Sequence, residues 1–488
     1  MKLLTIVLLF LSIFGYGQQP LDVTQPPFNA SKTGNVDAAP AIQAAIDSAI
    51  KVFGTVYFPK GVYRIDKTLV VAKWGSAAYG QSFIKMIGED MMHSPGVTII
   101  RPTFKDAPAL ALHLNKGTLV KGLYFDGMYR SPVMTVDSFF RAPLDTYGDS
   151  TCRDSQYSPY CAIAIDPFRG MMPPDSGYPT LRVWYRGPDN VSGSTGVRIE
   201  DCTFKNFTIG AILSPNGKTL NNEIITLENI RVNDCKYAFV GCQAQEKGNR
   251  LINWEVWGKV KCVLGFAKYG QKQPGHYTVD GMNIAGVVGQ FIFRPSQEFF
   301  PIHINGVFAE SIGELGYWNT GLNDALSNSS FNFYYYKYRK SFPNNIMNGN
   351  GVTFNNVDMR YYVFPAVPLF FKGKMTFVNS DGHITAPDIR VQKWNYLLPD
   401  TTQKYTIKKV SVGKANFYME NGFKKVQFYQ TYDTVSVGDL MVFTQGNYDI
   451  EGLGEVESIG IHGDYIISFV SPGINNTMQY AVGKYKLK

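Results

Sequence analysis

A six-residue signature returns through the middle of the chain: apolar, any residue, Gly/Asp/Asn, apolar, any residue, apolar. It reads Val120-Lys-Gly-Leu-Tyr-Phe125, Ile199-Glu-Asp-Cys-Thr-Phe204, Leu227-Glu-Asn-Ile-Arg-Val232, Val279-Asp-Gly-Met-Asn-Ile284, Ile304-Asn-Gly-Val-Phe-Ala309 and Phe354-Asn-Asn-Val-Asp-Met359. The central apolar residues Cys202, Ile230, Met282, Val307 and Val357 are separated by 28, 52, 25 and 50 residues, so one period is roughly 25 to 28 residues. Such a period is one coil of a solenoid. A short strand cannot bury its apolar face alone, whereas stacking coils about 4.8 Å apart gives every strand two partners and a dry interior. The Gly/Asp/Asn column marks a recurrent bend or bulge. The two double-length gaps predict degenerate coils near Val256 or Trp257 and near Phe333.

Ahead of the repeat, Ile42, Ala45, Ile46, Ala49 and Ile50 share one helical face, with Asp37 available as an N-cap. Gly54 then releases the chain, and the pattern switches to period two: Val56 and Phe58 point one way, Pro59-Lys60-Gly61 turns, and Val62 to Ile65 returns as a strand. A helix closing onto the first strands is the shape of a cap, which a parallel stack needs because its first rung exposes unpaired backbone. This stretch, Asp37 to Ile65, resembles the N-terminal signature of the pectate-lyase-like superfamily of right-handed parallel β-helices. The resemblance implies an all-β fold, a single-stranded right-handed parallel β-helix with an N-terminal capping helix. It covers about thirty residues and is specific for fold, not reaction, since the superfamily holds lyases, polygalacturonase-type hydrolases, epimerase-like proteins and phage tailspikes.

The repeat is interrupted from about 127 to 196 by a polar, proline-bearing segment, read as a flap beside the lateral face. Periodicity fades after Asp388, and Leu397 to Thr402 reads as a linker. The expected domains are therefore a β-helix over 18–395 and a small β-barrel or sandwich over 396–488.

Composition adds a compartment. Lys2, the apolar run Leu3 to Phe14 and small residues up to Gly17 read as a secretory signal peptide over 1–17, too short to span a bilayer, and no later run is apolar for long enough. The protein is expected to be secreted or periplasmic, where disulfides form; Cys152 and Cys161 bracket a short polar segment and are the expected pair, while Cys202, Cys235 and Cys262 fall at strand positions that suit buried thiols. The formal charge of +8 suits an acidic polysaccharide as partner, and the absence of a concentrated Lys/Arg run argues against nucleic acid. Monomer and trimer both stay open.

Candidate chemistry follows from register. The second position of the repeat forms a column of Lys121, Glu200, Glu228, Asp280, Asn305 and Asn355. Glu200 and Glu228 on successive rungs start about 5 Å apart, close enough to hold calcium or to be neutralised by Arg198 and Arg231. A lyase acting on a uronic acid must neutralise the carboxylate, take the neighbouring proton and protonate the leaving oxygen, and Lys, Arg, His and Tyr can do this. Arg231, Lys261 and Arg294 are the catalytic candidates, with Lys259, His276 and Tyr277 beside them, and Asp166, Arg169, Tyr185 and Arg186 in the flap are the substrate-binding ones. An ion pair between Lys261 and Asp234 is the structural alternative. The polygalacturonase pattern is not met, because the chain has no Asp-Asp pair and its His462-Gly463 lies in the C-terminal domain. Tyr334 to Lys340 alternates aromatic and cationic residues, as a packed strand or a sugar platform would. A non-catalytic glycan-binding or structural β-helix is the competing class.

Overall fold

The computed structural model describes residues 19–72, 83–90, 97–130, 160–167, 193–215, 222–241, 247–266, 276–294 and 301–333, the backbone of 345–361, and shorter strands beyond. The chain forms two compact units, one from residues up to Trp254 and one from Glu255 onward, apart from short stretches. Both are built of parallel strands, and the architecture is a right-handed parallel β-helix.

In the first unit each coil contributes strands to three stacks. The first holds Thr55–Tyr57, Lys85–Ile87, Leu119–Lys121, Arg198–Glu200 and the start of Thr226–Asn233. The second holds Gly61–Ile65, Thr98–Pro102, Tyr124–Asp126, Thr203–Lys205 and the end of Thr226–Asn233. Leu69–Ala72, Leu110–His113, Cys161–Ile165, Ile209–Leu213 and Tyr237–Gly241 make the third. The apolar stretch inside the expected flap is thus a rung of the third stack. Two separate excursions, after Asp126 and after Asp166, flank it.

The six-residue signature is the corner between first and second stacks. Its first, fourth and sixth positions are buried: Val120, Leu123 and Phe125 are followed by Ile199, Cys202 and Phe204, then by Leu227, Ile230 and Val232. The third position is left-handed at every coil, with φ between 48° and 70° at Gly122, Asp201, Asn229, Asn253, Gly281, Gly306, Asn328 and Asn356. Only Gly, Asn and Asp adopt that conformation at low cost, which explains the column's composition. The two degenerate coils are centred on Trp254 and Ser329, in Leu251-Ile-Asn-Trp-Glu-Val256 and Leu326-Ser-Asn-Ser-Ser-Phe331. They lie two to four residues ahead of the expected places because tryptophan and serine stand in the central column.

Helix α1 spans Ala39–Val52 and buries Ile42, Ala45, Ile46, Ala49 and Ile50. Its N-cap position is Ala38; Asp37 accepts from the Ala39 N–H at 2.9 Å and from the Asp66 N–H at 3.0 Å. Phe53, not Gly54, takes the left-handed C-cap conformation. Gln43 replaces the missing rung: its amide accepts from Val70 N–H at 2.9 Å and donates to Val70 C=O at 2.8 Å, satisfying an edge that would otherwise be open.

In the second unit, Tyr277–Ile284 pairs with the first residues of Ile302–Phe333, and Val287–Arg294 pairs with 312–318 of the same strand, so that strand turns a corner between two stacks. The C-terminal strands form an antiparallel ring: Tyr405–Glu420, Phe423–Gln430, Tyr465–Phe469, Asp449–Ile459, Leu440–Gln445, Gln479–Leu487 and back to the first. Of the barrel and sandwich expected for this segment, the closed ring is the barrel. Among the described residues no helix is long and apolar enough to cross a membrane.

Candidate functional site

Register brings the predicted carboxylates together. Lys121, Glu200 and Glu228 are successive partners on the first stack. They are neutralised where they stand. Arg198 pairs with Glu200 and lies 3.8 Å from Glu228, and Lys121 reaches Glu200 at 3.5 Å and Asp201 at 3.1 Å. The bond to Asp201, helped by Glu200, raises the Lys121 pKa. Two carboxylates with a guanidinium beside them do not offer the roughly six to eight oxygen ligands that calcium takes, and no cluster of three metal-ligating residues occurs among the described residues. The arrangement fits an ion-paired face.

The predicted cations fall in different settings. Arg231 sits on the second stack of the first unit, in register with Thr203, which is in register with Tyr124. In the second unit Lys261 is half-buried on Lys259–Phe266, its carbonyl facing Gly289 on the next rung. Arg294 is fully buried and paired with Asp324, which also accepts from Trp318 Nε1 at 2.6 Å and Ile302 N–H at 2.8 Å. A guanidinium sealed from solvent in this way is a strut inside the coil, out of a polysaccharide's reach. Burial raises the Asp324 pKa, and Arg294 and Trp318 oppose the shift.

Asp166 is likewise interior. Its carboxylate accepts from Leu114 N–H at 2.7 Å, Ser194 N–H at 2.6 Å and Ser194 Oγ at 2.9 Å, and lies 3.4 Å from His113 Nδ1. Ser194 Oγ also accepts from Asn115 N–H at 2.9 Å, so its hydrogen goes to a carboxylate and not to an imidazole. This is a clasp at the base of an excursion, joining the residues where it leaves and re-enters the coil. Arg169, Tyr185, Arg186, Cys152 and Tyr334 to Lys340 lie outside the described residues. Cys161 is a free thiol, fully buried in its strand, and burial pushes its pKa well up; the expected Cys152–Cys161 bridge is not seen. Cys202, Cys235 and Cys262 are buried free thiols too.

A site absent from the sequence expectations lies in the repeat's fifth position, Tyr124, Thr203 and Arg231, facing outward on the second stack. Arg101 pairs with Asp126 at 3.0 Å beside Tyr124, and Asn206 donates to the same carboxylate at 3.1 Å. Asp90 accepts from Thr203 Oγ1 at 3.3 Å. Burial, then Asp126 and Asp90, push the Tyr124 phenol up to about 12 against the opposing charges of Arg101 and Arg231. Lys236, in Arg231's coil, is half-buried, lies 5.7 Å from the Tyr237 ring centroid, and has its pKa lowered by desolvation. The third stack offers no comparable chemistry: its adjacent columns Ala111, Ala164, Ile212, Val240 and Leu112, Ile165, Leu213 are buried and apolar.

His276 and His303 meet across adjacent rungs of the second unit with ring centroids 5.6 Å apart, edge to face. Their separation of one coil has no meaning until the coil is known. Burial, then His303, lowers the His276 pKa.

Residues 26–100 match the family model for rhamnogalacturonase A/epimerase, pectate lyase-like. The chain has the pectate-lyase-like β-helix fold. The matched segment holds the cap and first coils, and ends before Arg101, Tyr124, Glu200 and Arg231, so it bears on fold and not on reaction. A search of curated proteins gives no match. Among solved structures, this pectate-lyase-like chain is similar to the A-module of a mannuronan C-5 epimerase from Azotobacter vinelandii, at 15% identity and TM-score 0.45 over 77% of this chain and 89% of that one. An endo-xylogalacturonan hydrolase from Aspergillus tubingensis aligns at 11% identity and TM-score 0.41 over 73% and 92%. A tailspike protein of E. coli bacteriophage HK620 aligns at 10% identity and TM-score 0.42 over 96% and 93%.

Proposed function

We propose that this protein is an exported carbohydrate-active β-helix that takes an acidic polysaccharide along the second-stack face of its first unit and cleaves it by β-elimination. The observation that carries this reading is the placement of Tyr124 on one outward face with Arg101 and Arg231, the latter two rungs away at roughly 10 Å by strand spacing. Guanidinium groups neutralise the sugar carboxylate and stabilise the charge that develops when the adjacent carbon loses its proton. With a pKa of about 12, Tyr124 keeps its proton at neutral pH and delivers it to the departing glycosidic oxygen. Lys236 is assigned the proton acceptor's role, since burial favours its neutral amine. The sugar C–H proton passes to Lys236, a carbon–carbon double bond forms, and the C–O bond breaks with the phenol proton going to oxygen.

The test is a panel of pectin, alginate, ulvan, chondroitin and carrageenan, followed for the ultraviolet absorbance of unsaturated ends and for reducing sugar. Unsaturated ends that disappear in Tyr124→Phe and Arg231→Ala support elimination at this face. Reducing sugar without absorbance assigns hydrolysis instead. Binding with neither product assigns the non-catalytic glycan-binding class.

A further inference from the structure

The second unit contains a groove of about 390 Å³ lined by Gly306, Val307, Phe308, Asn328, Ser329, Ser330, Asn356, Val357 and Asp358. These are the third, fourth and fifth positions of the repeat in three successive coils. The groove therefore runs along the stacking direction, as an extended chain laid across the coils requires. We propose that this groove is a binding site for uncharged sugar rings, separate from the acidic-polysaccharide face of the first unit.

Three features carry the assignment. Phe308 is 47% exposed, although burying such a ring is worth about 1.5–3 kcal/mol. The flat apolar face it presents suits the C–H side of a pyranose. Next to it, Asn356 donates to Asn328 Oδ1 at 2.8 Å, and Asn328 donates to Asn305 Oδ1 at 2.9 Å. A primary amide has two donor hydrogens and the ladder takes one from each, so the second hydrogens are held in fixed directions, an arrangement matched to hydroxyl groups. The third feature is charge. Asp358 is the one ionisable residue lining the groove, and its carboxylate repels a uronate while accepting hydrogen bonds from neutral hydroxyls. Ser329 Oγ is already committed, donating to Ser327 C=O at 2.7 Å and accepting from Val307 N–H at 3.0 Å, so recognition falls to Phe308, the two amides, Ser330 and Asp358.

The experiment is affinity electrophoresis and calorimetry of the full chain with neutral galactan, xylan, arabinan and β-glucan, alongside one acidic polymer. At least one neutral polymer is expected to bind, with affinity unchanged by a tenfold rise in ionic strength. Phe308→Ala is expected to weaken that binding about tenfold or more, with Asn356→Ala weaker in effect. Phe308→Leu, which keeps apolar bulk but not the flat ring, is expected to match Phe308→Ala if stacking is responsible. Arg231→Ala should leave neutral binding intact, so failure of the acidic-polysaccharide reading is read separately. No binding to any neutral polymer, or binding insensitive to Phe308→Ala and Asn356→Ala, overturns the proposal. A change in oligomeric state in Phe308→Ala without loss of glycan binding overturns it too, assigning the groove to a second copy of the chain.

Discussion

The same columns of one repeat are charged in the first unit and carry amides in the second. Beside the left-handed bend of the first unit stand Lys121, Glu200 and Glu228 with Arg198, and Tyr124, Asp126, Arg101 and Arg231 one strand further on. In the second unit Asn305 donates to Asp280 at 2.8 Å, and Asn328 and Asn356 continue the ladder along the groove at Phe308. The interior reverses the contrast, for the second unit buries an ion pair in Arg294 and Asp324. The backbone demands only a residue that tolerates the bend and apolar residues around it. Everything outward is free to vary, so one scaffold can present a face for acidic sugars and a groove for neutral ones.

Four changes sharpen or break this contrast. The largest effect is expected from Asp324→Ala, which strands a buried guanidinium and should destabilise the second unit by about 3–5 kcal/mol. A loss below 1 kcal/mol by chemical denaturation would mean that the pair is solvated. Asn328→Ala removes both of its ladder bonds and puts alanine into the left-handed region, costing about 1–2 kcal/mol by the same measurement. On the first unit, Glu228→Gln should change stability by less than about 1 kcal/mol, because its ion pair is solvent-accessible, and the change should shrink in high salt. His276→Gln should matter least, and only in acid. The lowered folded-state pKa means that the unfolded chain binds more protons, so stability is complete above the model value of 6.5 and is lost as pH falls through it toward the folded-state pKa. Thermal melts from pH 8 to pH 5 should therefore fall less steeply for the variant.

The coil was legible because its buried columns are strict. Cys202, Ile230, Met282 and Val307 occupy the interior as their spacing required, and the Gly/Asp/Asn column was readable because few residues accept its backbone. The coils at Trp254 and Ser329 were misplaced because those residues do not look like the others in that column. The outward chemistry was less legible. Glu200 beside Glu228 followed from register, but Tyr124 and Arg231 lie in the fifth position, which the signature leaves unspecified. Arg294 and Asp166 read as surface charges because sequence does not show that each meets a partner inside the fold: Asp324 thirty residues on for Arg294, and Ser194 with Leu114 N–H for Asp166.

The claim that joins these points is that coil register alone gathers Tyr124, Arg101 and Arg231 into a face for uronates. Calorimetric titration of an oligouronate into the wild type, Arg231→Ala and Arg198→Ala tests it directly. The account predicts salt-sensitive binding that Arg231→Ala weakens about tenfold or more and Arg198→Ala leaves within about twofold. Equal losses in both variants, or binding unaffected by Arg231→Ala, would contradict it.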